Sequence, residues 1–68
     1  MDEISKKLGQ NLKKIREQKG MTQGDICRAL NLDRGYISSI EGGKRNPTLS
    51  TLKKLADALK VSVDELLR

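Results

Sequence analysis

The chain has no histidine, tryptophan or phenylalanine, and only one cysteine, one proline and one tyrosine among its 68 residues. Each scarcity excludes something. Without histidine, acid–base chemistry near neutral pH loses its commonest group, and no paired carboxylates or phosphate-cradling glycine loop replace it, so an enzyme is not expected. A lone Cys27 cannot close an intrachain disulfide, and a chain without histidine lacks the ligand set of a structural zinc site. No metal and no cofactor are therefore expected, and a reducing cytoplasm fits best. No long apolar run occurs and the first residues, Met1-Asp2-Glu3, are acidic, which argues against a signal peptide and against a membrane partner. The length falls short of a typical domain of about 100 to 200 residues, so 1–68 reads as a single domain with no room for a small-molecule effector module. Small domains bury a modest share of their surface, and pairing with a second copy would stabilise one.

What the chain does have is positive charge. Lys and Arg number 14 against 9 Asp and Glu, a net +5. The excess is local: between Arg34 and Lys54 stand Arg34, Lys44, Arg45, Lys53 and Lys54 against the single acid Glu41. Such a footprint suits nucleic acid or another anionic surface.

The stretch Met21 to Pro47, MTQGDICRALNLDRGYISSIEGGKRNP, reads as two short helices joined by a tight turn and followed by a basic loop. Thr22 with Asp25 three residues on supplies a hydroxyl cap and a first-turn carboxylate, so a helix starts there. Ile26, Cys27 and Leu30 recur at helical spacing, and Asn31 tolerates the left-handed conformation that a sharp exit requires. Leu32 is an apolar plug. Asp33 is a second N-cap, opening a helix that carries Ile37 and Ile40 inward. Its outward residues are Arg34, Gly35, Ser38 and Ser39: one long cation, no carboxylate, and small side chains that let a backbone come close. That face suits a polyanion.

Elsewhere, Ile4, Leu8, Leu12 and Ile15 predict an amphipathic first helix from about Glu3 to Lys19, ended by Gly20. The two motif helices span about Gln23 to Leu30 and Arg34 to Gly42, so the motif occupies about 22–42. Pro47 forces the residue before it out of the helical region. Thr48 caps a fourth helix with a buried stripe of Leu49, Leu52, Leu55, Ala56 and Leu59, and Ser62 with Glu65 forms a capping box for a short fifth. No strand pattern or repeat is present. The expected fold class is all-α, a compact five-helix bundle containing a helix-turn-helix.

IREQKGMTQ at Ile15 to Gln23, YISSIEGGKRNP at Tyr36 to Pro47 and LADALKVSVDELL at Leu55 to Leu67 resemble the Cro and phage-repressor (Xre) family, over roughly Leu8 to Leu67. LDRGYIS at Leu32 to Ser38 is similar to the controller proteins of restriction-modification systems, which lack an effector domain. The resemblance implies a lambda-repressor-like DNA-binding domain. It also implies an internal ion pair between Arg16 and Glu41, weighed against DNA contact for Arg16. Cys27 stands where the family usually has Ala, which makes it a small buried thiol rather than a redox sensor. Gly35 departs from the family, which usually carries a base-touching side chain there, and Gly24 stands where Glu is frequent.

The expected function is a sequence-specific transcriptional regulator of double-stranded DNA, a repressor or autoregulator. Arg34 can donate two parallel bonds to guanine, with weaker help from Ser38 and Ser39, while Gly35 leaves direct readout thin and shifts weight to DNA shape. Thr22 and Gln23 on one side, and Gly43, Lys44, Arg45 and Asn46 on the other, are candidates to grip phosphates. Tyr36 either touches a phosphate or packs against the basic loop. The lysines of the first helix, Lys6, Lys7, Lys13 and Lys14, read as a solvated face, and Lys53 and Lys54 lie near the basic loop. One copy reads too few base pairs to be selective in a genome, so a homodimer on a near-palindromic site is expected. Val61, Val63, Leu66 and Leu67 are its candidate interface, with intramolecular core as their other use. A protein-binding antitoxin or adaptor is the competing class.

Overall fold

The computed structural model describes residues 3–68; Met1 and Asp2, part of the acidic start noted above, lie outside the described residues. Five helices follow in order: α1 Glu3–Gln18, α2 Gln23–Leu30, α3 Arg34–Glu41, α4 Leu49–Leu59 and α5 Val63–Leu67. No strand occurs among the described residues. The all-α bundle and all five helices match the sequence reading.

The first four helices end in the same way. Gly20, Asn31, Gly43 and Lys60 each adopt a left-handed conformation, with φ of 71°, 56°, 74° and 59°. The next residue's amide donates back to the carbonyl five positions earlier: Met21 to Arg16, Leu32 to Cys27, Lys44 to Ser39 and Val61 to Ala56, all at 2.9 to 3.0 Å. This satisfies carbonyls that a helix end would leave bare and turns the chain sharply, so short connectors suffice. Two of the four residues are glycines, which take the conformation without strain, and Asn is the next most tolerant. Lys60 is the exception, and nothing in its sequence surroundings announces it. Gly42 and Gly43 together end α3: Gly42 is the C-cap with an ordinary φ of −80°, and Gly43 makes the turn.

The core is aliphatic. Leu8, Leu12, Ile26, Ile37, Ile40, Leu52, Leu55, Ala56, Leu59 and Leu66 are buried, drawn from all five helices. Helix α1 packs on α3 and α5, α2 on α3 and α4, and α4 on α5. Each fully buried Leu or Ile contributes roughly 1.5 to 3 kcal/mol over an exposed one.

Three sequence expectations are corrected here. Ile4 is 68% exposed, because the face of α1 that meets its neighbours is Ser5, Leu8, Gly9, Leu12 and Arg16, rotated away from the apolar Ile4–Ile15 edge. Leu49 is 77% exposed: it opens α4 on the flank of the buried stripe. Cys27 is half-buried rather than enclosed.

The rotation of α1 exposes a signal absent from the hydropathy pattern. A methyl group at Gly9 would stand 2.4 Å from the Ile40 carbonyl oxygen and 2.7 Å from that of Glu41. Glycine at this position lets α1 lie directly on the C-terminal end of α3. Asn11 ties α1 to the C-terminal end of α5, donating from Nδ2 to the carbonyls of Leu66 and Arg68, both at 2.9 Å. Helix α3 is thereby held from behind while its opposite face stays open.

Candidate nucleic-acid interface

Helix α3 turns Ile37 and Ile40 wholly inward and keeps its first turn outside. Arg34, Gly35 and Ser38 are exposed, as their spacing predicted, whereas Ser39, also expected to face outward, is half-buried. Asp33 sits at the N-cap with extended backbone, and its carbonyl accepts from the amides of Tyr36 at 3.1 Å and Ile37 at 3.3 Å. Its carboxylate makes no capping hydrogen bond, unlike the side chains of Thr22, Thr48 and Ser62 at the starts of α2, α4 and α5.

Helix α2 begins with a complete capping box. The Asp25 amide donates to Thr22 Oγ1 at 3.0 Å, and the Thr22 amide donates to Asp25 Oδ2 at 2.8 Å. The Thr22 amide first, then the Thr22 hydroxyl and the nearby Arg28 guanidinium, hold the Asp25 carboxyl below its ordinary pKa of 3.8. The box also takes the Thr22 amide, which is bonded to Asp25 Oδ2 rather than free for an anion. Gln23 is half-buried and its amide nitrogen donates to Glu41 Oε1 at 3.0 Å.

That glutamate is the hub of a polar cluster between the motif and α1. Arg16 donates from Nε to Glu41 Oε2 at 2.7 Å, from Nη2 to Oε1 at 3.1 Å, and from Nη1 to the Met21 carbonyl at 2.7 Å. The two side chains are only 9% and 5% exposed. The hydrogen bond to Glu41 raises the Arg16 pKa further above its ordinary value, outweighing burial. Arg16 therefore ties α1, the α1–α2 turn and α3 together, and its alternative role as a DNA contact is excluded by its enclosure. Such a pair is geometry-setting rather than strongly stabilising, because desolvating both charges offsets most of their attraction.

After α3 the chain enters the basic loop. Lys44, Arg45 and Asn46 are exposed. The Arg45 guanidinium lies 5.3 Å from the centre of the Tyr36 ring, so Tyr36 packs against the loop and steadies its cation. Asn46 Oδ1 accepts from the buried Ser5 hydroxyl at 2.6 Å, which anchors the loop to the first turn of α1 and directs the Asn46 amide nitrogen away from that contact. Gly43 does not belong with the phosphate-binding candidates: it is buried against Lys6 of α1, and its amide is spent on the Ile40 carbonyl at 3.0 Å. Of the fourth-helix lysines, Lys53 pairs with Asp57 on its own helix at 3.0 Å. Among the described residues Arg34, Lys44 and Arg45 have no ion pair, so an exposed, unneutralised cationic edge runs from the start of α3 to the loop that follows it.

The C-terminal apolar cluster divides. Leu66 is completely buried and is a core residue, which removes it from any interface between copies. Leu67 is 42% exposed, and Val61 and Val63 are half-buried. No group of residues able to hold a metal ion is found among the described residues, and no helix is long and apolar enough to cross a membrane. Sequence reasoning missed Ser5, Gly9 and Asn11, whose roles depend on which face of α1 is buried.

This geometry has close counterparts. A helix-turn-helix family model matches residues 12–66. The chain is 40% identical over 67 residues to the control protein C.MunI of a Mycoplasma species, covering 97% of this chain and 90% of that one. The crystal structure of the restriction-modification controller protein C.AhdI from Aeromonas hydrophila superimposes with a TM-score of 0.86 at 39% identity, covering 91% and 94% of the two chains. The controller protein C.Esp1396I, solved as a tetramer in complex with its natural 35 base-pair operator, matches over the full length of both chains with a TM-score of 0.83 at 38% identity.

Proposed function

Because the chain belongs to the helix-turn-helix family, whose matched members are transcription regulators and not enzymes, we propose that it is a sequence-specific regulator of double-stranded DNA, a repressor or autoregulator. Helix α3 enters the major groove, with Arg34 donating two bonds to a guanine and Ser38 and Ser39 adding contacts. Lys44, Arg45 and Asn46 hold phosphates on one side, and the start of α2 holds them on the other. Two copies bind a near-palindromic operator with half-sites about 34 Å apart, joined through a surface that includes Val61, Val63 and Leu67. The protein works in the cytoplasm, and its activity is set by its own concentration and dimerisation rather than by a small-molecule effector.

The observation that carries this reading is the division of α3: Ile37 and Ile40 locked in the core while Arg34 and Ser38 face outward. The operator-bound C.Esp1396I tetramer supports both the ligand and the multiple copies. Selecting bound duplexes from a random pool tests it. Arg34→Ala is expected to relax preference at one base pair by roughly 1 to 3 kcal/mol, whereas Lys44→Ala weakens all sequences alike. A folded chain that ignores every duplex even in dilute buffer overturns the proposal.

A further inference from the structure

Asp33 has a carboxylate without a task inside the fold. It is exposed, it makes no capping hydrogen bond, and among the described residues it has neither an ion pair nor a hydrogen bond through its side chain, not even with the adjacent Arg34. Every other helix start in the motif and C-terminal half engages its cap side chain: Thr22 accepts from Asp25, Thr48 from Thr51 and Ser62 from Glu65. The Asp33 carboxylate lies instead over the first turn of α3. Its Oδ2 stands 2.9 Å from the point where a Cβ on residue 35 would be, and residue 35 is glycine. Gly35 thus provides the space that the carboxylate occupies, on the same turn as Arg34.

A bare carboxylate at the leading end of a helix presented to DNA is repelled by the phosphates unless it meets donors. In the major groove the base-edge donors are the exocyclic amines of cytosine and adenine; guanine O6 and thymine O4 are acceptors and repel it. Carboxylates pair by geometry with cytosine N4. Resting on the DNA-binding reading above, we infer that Asp33 is a specificity-determining residue that accepts a hydrogen bond from a cytosine amine, with Gly35 as the positioning residue that keeps its carboxylate over the base edges. The missing side chain at residue 35 then does not thin out the readout; it hands that part of the groove to Asp33.

The test is random-pool selection with the wild-type chain, Asp33→Asn, Gly35→Ala and the double variant. The wild type is expected to prefer cytosine at one position by about tenfold or more over guanine and thymine. Asp33→Asn, which keeps an acceptor oxygen but gains an NH2 donor, loses the discrimination against guanine and thymine and moves the preference toward adenine, while leaving the guanine preference at the Arg34 position intact. Gly35→Ala weakens the same cytosine preference by displacing the carboxylate, and adds nothing at that position once Asp33 is Asn. The helix itself is capped through the Asp33 carbonyl, so both single variants retain the wild-type circular dichroism spectrum and melt within a few degrees of the parent. A wild-type operator whose cytosine preference survives Asp33→Asn unchanged overturns this inference alone; a wild-type chain that selects no sequence overturns the DNA-binding reading as well.

Discussion

At the scale of single residues, the structure rests on a few positions where one atom more or less decides the packing. Gly9 is the sharpest. With carbonyl oxygens of Ile40 and Glu41 at 2.4 and 2.7 Å from the position of an added methyl, Gly9→Ala must push α1 off the end of α3. Overpacking of this kind typically costs about 1 to 3 kcal/mol, and backbone atoms cannot swing aside as a flexible side chain can. Urea unfolding is expected to show a midpoint lowered accordingly, and DNA affinity to fall with it, because the displaced contact is what presents α3. Unchanged stability would mean that the helices separate at no cost. Nothing in the sequence marks Gly9: a glycine within a helical pattern reads as a weakness in propensity, and the need for it appears only when two backbones meet. Arg16 and Glu41 were legible for a different reason, through family resemblance, and the structure adds Gln23 and the Met21 carbonyl to that pair. Asp33 was half legible. Its role as N-cap residue followed from its place before α3, but where its carboxylate points did not.

At the scale of helices, the sequence was most transparent where local chemistry governs. Caps and stops are encoded by one to four adjacent residues, so Thr22 with Asp25, Asn31, Thr48 and Ser62 located the helix ends within a residue or two. The buried faces were less transparent, because apolar spacing gives the direction of an amphipathic stripe only to within about one residue's rotation; Ile4 and Leu49 lie on the wrong side of that margin, and Ser5 and Arg16 on the right one. Two predictions belong here. The Asp25 carboxyl has a folded-state pKa below its ordinary 3.8, so its contribution is fully present above that value and is lost as pH falls through the lower folded-state pKa. Asp25→Asn removes an acid-labile contribution, and its melting temperature is expected to fall less than that of the wild type between about pH 5 and pH 2. The second concerns Lys60, which closes α4 with φ 59°. An L-residue in the left-handed region carries a strain of about 1 to 2 kcal/mol that glycine avoids, partly offset by glycine's larger entropy loss on folding. Lys60→Gly should raise the thermal midpoint, by the equivalent of up to about 1 kcal/mol; a lowered midpoint would show that the lysine side chain contributes more than its backbone costs.

At the scale of the whole molecule, charge and symmetry become one question. Among the described residues the cationic edge formed by Arg34, Lys44 and Arg45 has no ion pair, and the proposed two-fold complex would present it twice to one duplex. Binding that neutralises phosphates releases counterions, so the logarithm of affinity falls with the logarithm of salt at about 0.9 per phosphate contact. The slope therefore counts contacts, and a substitution counts copies. If Lys44 holds one phosphate in each subunit of a dimer, Lys44→Ala removes two contacts and flattens the slope by about 1.8; in a monomeric complex the same change flattens it by about 0.9. Titrating a selected operator with both proteins at several salt concentrations distinguishes these outcomes, and an unchanged slope would remove Lys44 from the interface. The expected dimer value also makes Leu67→Lys informative: a charge on the half-exposed C-terminal surface should convert the slope for the wild-type loop from that of two subunits to that of one, without touching any residue near the duplex.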